Sequence, residues 1–403
     1  MFNGNVKIEG LFALNTLNNG DKLTGSGVNP TLNATLNTAG GVAITPTALN
    51  GIETLNVEFT ALGGAAAASN LNIGNGTGGF KSVSWSNSNA LNTLSGIQAA
   101  LTNLSLSNTS LSGVVGAAVD GSQTFAFADA ALAGASDALT LTLQNVTNPN
   151  ARNAAGAVAP GGRINLTTVT GNNSNYETVN VVSSGQANSA NVFQNGNGLT
   201  TMNVSGAATF TTVNNSALLT AFNASTATGA ITYTEGAAVG NAAYTGGSGN
   251  DTLTLAGTYT AQDTVNGGTG TDVLAITAAT AQATANQANV SNFENLRLTS
   301  NLGAANAGTF APNFYGGAST LSLGSSQTMT GGTTITINAV AGTNGVFDTR
   351  TFIADGGGQV TVNIAGTATT DAYSINMAPA AAADVFGGAI VLNGAETVNL
   401  TTA

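Results

Sequence analysis

Two stretches of the 403-residue chain carry its sharpest chemistry. They are Gly246-Gly247-Ser248-Gly249-Asn250-Asp251-Thr252-Leu253-Thr254 and Gly267-Gly268-Thr269-Gly270-Thr271-Asp272-Val273-Leu274-Ala275. Both fit the nonapeptide Gly-Gly-x-Gly-x-Asp-x-U-x, where U is a large apolar residue. Glycines let such a turn expose its carbonyl oxygens, the Asp supplies charge, and the apolar residue starts a strand that tucks inward. Calcium takes six to eight hard oxygen ligands, and turns of this kind provide them. Gly247, Gly249, Asn250, Asp251, Gly268, Gly270 and Asp272 are therefore candidate calcium ligands. Two Gly-rich hairpin turns, each with a capping Asp, are the plain structural alternative. A continuous calcium β-roll would place stacked turns roughly 18 residues apart. Asp251 and Asp272 are 21 apart, which points to a local variant of that site.

Further acids recur at strand starts. One phrase reads Glu53-Thr54-Leu55-Asn56-Val57, then Glu177-Thr178-Val179-Asn180-Val181. It returns as Glu294-Asn295-Leu296-Arg297-Leu298 and as Glu396-Thr397-Val398-Asn399-Leu400. A second phrase precedes the glutamates, with Asp137, Asp272 and Asp371 each leading an alternating strand. The first copy has Asn29-Pro30-Thr31 there, so its aspartate is lost. The gap from this position to the glutamate is 23, 40, 22 and 25 residues in chain order. Asp21-Lys22-Leu23-Thr24-Gly25 also matches Asp263-Thr264-Val265-Asn266-Gly267. Asp21, Glu53, Asp137, Glu177, Asp263, Glu294, Asp371 and Glu396 thus join the candidate metal ligands. The competing reading is that each carboxylate accepts backbone N–H groups and ends a turn. Asp120, Asp129, Glu235 and Asp355 fit no pattern and are expected to be solvated.

The elements that must position these acids are read from composition and spacing. Hydrophobic residues make up 42% of the chain and charged residues 6%, which favours a folded chain over a disordered one. Thr, Val and Ile favour strands, and the 53 glycines and many asparagines supply turns. The expected fold is all-β: an elongated parallel β-solenoid or β-roll-like repeat, or else tandem β-sandwich modules. Short strands such as Leu104-Ser105-Leu106, Met202-Asn203-Val204 and Thr361–Ile364 recur near a twenty-residue spacing. The phrases mark modules at about 1–125, 126–240, 241–345 and 346–403. Asn148–Gly162 reads as an inserted loop, and Leu91–Leu101, Ala279–Ala288 and Pro379–Ala383 as short helices.

There are 18 acids and 7 bases, a net charge of −11. That disfavours nucleic acid, whose phosphates need clustered Lys and Arg, and suits a cation. With neither Cys nor His, disulfides, ordinary zinc sites and Ser-His-Asp or Cys-His nucleophiles are excluded. Two-carboxylate glycosidase chemistry survives in principle, but sugar platforms are scarce, with a single Trp, Trp85. No apolar run reaches membrane-spanning length. The first residues do not read as a signal peptide.

Gly249 through Leu274, followed by Phe293-Glu294-Asn295-Leu296-Arg297, resembles the calcium-binding part of Caulobacter-type S-layer proteins. Gly51–Asn56 and the stretch 371–400 resemble the same family. The resemblance implies a non-enzymatic structural protein, secreted by type I export, that self-assembles as a bacterial surface layer. It further implies calcium-stabilised folding and lattice contacts, with copies of itself as the main partner and cell-surface polysaccharide as a second. No helical anchoring domain of that family is evident. RTX adhesins share the nonapeptide, so a calcium-dependent adhesin that binds glycans or surfaces is the alternative, with Trp85 the first residue to test. A β-helix polysaccharide-active enzyme ranks third, because the acids lie at module starts rather than in one groove.

Overall fold

The computed structural model describes residues 2–3, 15–61, 67–75, 79–111, 122–148, 162–170, 175–196, 198–236, 240–256, 259–283, 288–300, 308–312, 315–323, 327–329, 334–340, 345–348, 352–355, 359–365, 371–376 and 389–401. The chain divides into two compact units, residues 1–229 and 230–403. Each is a parallel β-solenoid.

In the first unit the principal sheet is built from one strand per coil. In order these are Phe2–Asn3, Thr31–Asn37, Thr54–Thr60, Ser82–Ser86, Asn103–Ser107, Ala138–Gln144, Thr178–Ser184, Thr201–Gly206 and Ala221–Ala227. A second sheet runs through Ala43–Ile44, Ser69–Asn72, Asn92–Ile97, Gln123–Phe127, Arg163–Thr168 and Asn191–Gln194. The strands of the principal sheet pair in parallel, so side chains one coil apart stand directly over one another. Alternation along each strand sends every second residue inward. Leu32, Leu55, Val83, Leu104, Leu141, Val181 and Val204 form one such inward column, all buried. Each such side chain contributes about 1.5–3 kcal/mol of burial.

The same arithmetic explains the sequence gaps. Thr31 pairs with Thr54, and Ala138 with Thr178. In the second unit Val273 pairs with Asn295, and Ala372 with Thr397. The spacing between the Asp-led and Glu-led phrases is therefore the length of one coil.

Corners between sheets are set by asparagine. Asn87, Asn108 and Asn145 each follow a strand of the principal sheet with φ of 58°, 46° and 58°. Asparagine tolerates this left-handed conformation better than most residues. The Asn145 side-chain amide donates to the Asn108 side-chain oxygen at 2.8 Å, and Gly185 (φ 73°) takes the place in the next coil.

The helix expected over Leu91–Leu101 is a strand, Asn92–Ile97. A bulge there explains the misreading. Gly96 has φ 77°, the register slips against Phe125–Phe127, and Leu94 and Ile97 both turn inward. Their three-residue spacing imitates a helical period. A short helix does form at Ala278–Gln282, with the Thr277 side chain accepting from the Thr280 N–H. Residues 379–383 and most of 148–162 lie outside the described set.

Trp85 is core. It is 1% exposed, packs between Phe59 and Phe125 at centroid distances of 4.5 and 5.4 Å, and donates from Nε1 to Gln123 Oε1 at 2.8 Å. A residue so enclosed is no surface platform for a sugar. Among the described residues no helix is long and apolar enough to cross a membrane.

Candidate metal centre

The two nonapeptides are corners of successive coils in the second unit. The first joins Ala243–Thr245 to Thr252–Ala256, and the second joins Thr264–Asn266 to Val273–Ile276. The strands pair in register, Tyr244 with Val265 and Leu253 with Leu274, so the glycine turns stack. The Thr269 N–H donates to Gly247 O at 2.9 Å, and the Thr271 N–H to the Asn250 side-chain oxygen at 2.9 Å. Contact is close enough to require glycine. At Gly268 (φ 99°) a Cβ would lie 2.1 Å from Gly247 O, and at Gly270 (φ 139°) 2.3 Å from Gly249 O.

This stacking puts Asp251 and Asp272 one above the other, both fully buried. Asp251 accepts from the Ile231 N–H at 2.7 Å and from the Gly247 N–H. Asp272 Oδ1 accepts from the Asp251 N–H at 2.7 Å, while its Oδ2 is buried with no hydrogen-bond donor. Burial raises the pKa of both. For Asp272 it is pushed up to about 6, with the Asp251 N–H opposing the rise and the charges of Asp251 and Glu294 adding to it. Strand spacing of about 4.8 Å keeps neighbouring carboxylates of one column close enough to repel.

Four of the remaining acids, Glu177, Asp263, Glu294 and Glu396, obey one rule. An acid just before a strand accepts the N–H of the residue just before the neighbouring strand of the preceding coil. Glu294 Oε2 accepts from the Asp272 N–H at 2.6 Å, Glu177 Oε2 from Asp137 at 2.7 Å, and Glu396 Oε2 from Asp371 at 2.9 Å. Asp263 does the same in the other sheet, taking the Ala242 N–H at 2.8 Å on Oδ1 and the Thr260 N–H at 2.8 Å on Oδ2. Asp137 Oδ2 also accepts from the Gly134 N–H at 3.1 Å, and Asp21 Oδ2 from the Asn18 N–H at 2.8 Å. Glu53 departs for a covalent reason. Its partner position is Pro30, which has no N–H, and its carboxylate pairs with Lys81 at 3.2 Å instead.

Of the acids expected to be solvated, Asp129 is and Glu235 is not. Asp129 is at the surface and accepts from the Thr170 N–H at 3.0 Å, which lowers its pKa. Glu235 is 4% exposed and accepts from the Tyr233 hydroxyl at 2.5 Å and the Tyr244 hydroxyl at 3.4 Å. It closes the strand Ile231–Glu235, whose alternation points Ile231, Tyr233 and Glu235 to the same inner side. That period-2 pattern was the available signal. Asp120 and the Asp355 side chain lie outside the described set.

Among the described residues no three carboxylates gather round one point. A cation at the stacked turns would thus be held by Asp251 and Asp272 together with glycine-turn carbonyls. The donor set fits a hard cation, because Asp272 Oδ2 is a buried anionic oxygen with no N–H to neutralise it. No protein-family model, curated protein or solved structure matches this chain.

Proposed function

We propose that this chain is a structural protein of a secreted, self-assembling bacterial surface layer, with calcium-stabilised folding centred on Asp251 and Asp272. The observation that carries the calcium reading is the stacked pair of glycine turns with the unpaired Asp272 Oδ2. The scaffold reading draws on the solenoid fold and on the resemblance of the Asp- and Glu-led phrases to S-layer sequences. Calcium bound there supplies positive charge to two buried carboxylates. The protein's part is to hold the turns in register through the Thr269 and Thr271 N–H bonds and to exclude water from both Asp side chains. Trp85 is buried and so offers no platform to a glycan-binding adhesin.

Titration of the purified chain with calcium, followed by electron microscopy and isothermal calorimetry, tests both halves of the proposal. Calcium-dependent heat of binding and ordered arrays or filaments are the expected results. A chain that stays monomeric at millimolar calcium refutes the assembly reading. A chain that binds no calcium refutes the metal reading.

A further inference from the structure

On the principal sheet of the first unit, every second residue faces away from the coil interior. The outward columns run across successive coils in strict register. One is Thr31, Thr54, Ser82, Asn103, Thr140, Asn180 and Asn203. Beside it stand Asn33, Asn56, Ser84, Ser105 and Thr142. Glu58 is the only charged side chain at the outward positions from Thr31 to Ser205, and it accepts from the Asn87 side chain at 3.1 Å. No aromatic side chain occupies these positions.

The side chains of this face are already ordered. The Asn56 amide donates to Asn33 Oδ1 at 2.7 Å, and the Asn203 amide to Asn180 Oδ1 at 2.8 Å. Ser86 Oγ donates to Val57 O at 3.2 Å, and Ser184 Oγ to Leu143 O at 3.1 Å. Such fixed rotamers lower the entropy lost when a partner docks, about 0.5–1.5 kcal/mol per side chain otherwise immobilised. The Asn56, Asn180 and Asn203 amides keep hydrogen-bonding capacity beyond these bonds, since an amide offers two donors and two acceptor lone pairs.

Charge decides what the face can meet. Residues 1–229 carry eight acids and five bases, and residues 230–403 ten acids and two bases, which together account for the 18 acids and 7 bases of the chain. Two copies therefore repel least through the first unit. Over the reach of such repulsion, about 8 Å at physiological salt, a nearly charge-free sheet lets them approach without burying like charges. Amide and hydroxyl ladders of fixed spacing are also self-complementary, because the partner copy presents the same spacing. A neutral glycan is the less favoured partner, because Trp85 and Phe125 lie inside the coil and leave the face without a stacking surface.

We infer that the outward Thr/Ser/Asn face of the principal sheet in residues 31–205 is the surface through which one copy of this chain docks on another. This rests on the self-assembling reading above and names the face that assembly would use. The test introduces like charge at three outward positions of the full chain, Asn56→Asp, Ser84→Asp and Thr142→Asp together. A control puts the same number of charges on the outward side of the second sheet, Asn70→Asp, Thr93→Asp and Thr124→Asp. Circular dichroism and urea unfolding verify that both triple variants fold. Sedimentation velocity and electron microscopy then follow assembly in calcium. The expected result is that the control assembles as the native chain does, while the face variant needs at least a tenfold higher concentration or remains monomeric. Assembly of the face variant at native concentration overturns the inference and leaves the surface-layer reading standing. Equal loss in both variants also overturns it, because charge would then act without regard to the face. A native chain that never self-associates overturns both. So does retention of the native chain, but not the face variant, on a neutral glucan matrix without self-association; the face would then be a glycan site.

Discussion

Replacing Asp272 by Asn isolates the energetic tension in the stacked turns. The Asn Oδ1 can still accept the Asp251 N–H, so the coil-to-coil bond survives. What disappears is a buried negative charge beside Asp251 and Glu294. The native carboxyl has its pKa raised from 3.8 to about 6, chiefly by burial. A proton thus binds the folded state more tightly than the unfolded one. The stability this gives is fully present below the unfolded value and is lost as pH climbs through the folded value, so the metal-free native protein weakens between about pH 4 and pH 6. At 1.36 kcal/mol per unit the penalty at pH 7 is at most about 3 kcal/mol, and about half that once the surrounding protein dipoles relax around the charge. Without metal, Asp272→Asn is expected to be more stable than native by roughly 1.5 kcal/mol at pH 7, with a flatter profile from pH 4 to 6. With calcium the order reverses. The native chain gains about 2.7 kcal/mol at a hundredfold excess over Kd, and the variant gains far less. Urea unfolding separates these outcomes, because Trp85 fluorescence reports the first unit and far-ultraviolet dichroism reports both. If the variant is weaker than native in chelator, or if both gain equally from calcium, the reasoning is refuted.

Four other outcomes follow from the geometry. Gly268→Ala places a Cβ 2.1 Å from Gly247 O at a positive φ, and should lower stability by about 1–3 kcal/mol in urea unfolding and weaken calcium binding in calorimetry. Glu177→Ala leaves the Asp137 N–H without its 2.7 Å acceptor and should cost about 1–2 kcal/mol in the same assay. Lys81→Met breaks an ion pair whose Lys side chain is 62% exposed, and its unfolding free energy should change by less than about 0.5 kcal/mol. Trp85→Ala should cost about 3–5 kcal/mol, seen as a large drop in melting temperature, and should not change the retention of folded protein on any glycan matrix.

The β class and the repeat were legible because a parallel solenoid writes its coil length directly into the sequence. The gap from Asp272 to Glu294 is one coil, and so is the gap from Asp137 to Glu177 despite its greater length. The glycine turns were legible because close stacking admits no side chain at Gly268. Three features were hidden. The Asn92–Ile97 strand was masked by a bulge at Gly96 that mimics helical spacing. The corner asparagines were lost among the many others, since a left-handed corner has no periodic mark of its own. Glu235 was missed because its partners, Tyr233 and Tyr244, belong to different strands, and only the fold brings the second hydroxyl to it.

The Pro30 exception shows that the recurring acids are first of all a solution to a backbone problem. A strand-start N–H in a parallel coil lies just before the ladder begins and needs an acceptor. Wherever the chain has Asp137, Asp272 or Asp371, the next coil presents a glutamate to that N–H. Where Pro30 removes the N–H, the glutamate turns to Lys81. One carboxylate oxygen therefore suffices for structure, and an oxygen that accepts no N–H is the one most open to a further ligand. Glu235 aside, the buried acids Asp251, Asp263, Asp272 and Asp371 all stand just before a strand of the second unit. Asp263 has both oxygens engaged by N–H groups, as does Asp251. Asp272 keeps Oδ2 unpaired and buried, directly beside the stacked glycine turns. The structural rule and the metal proposal therefore rest on different oxygens of the same side chain, and Asp272→Asn separates them.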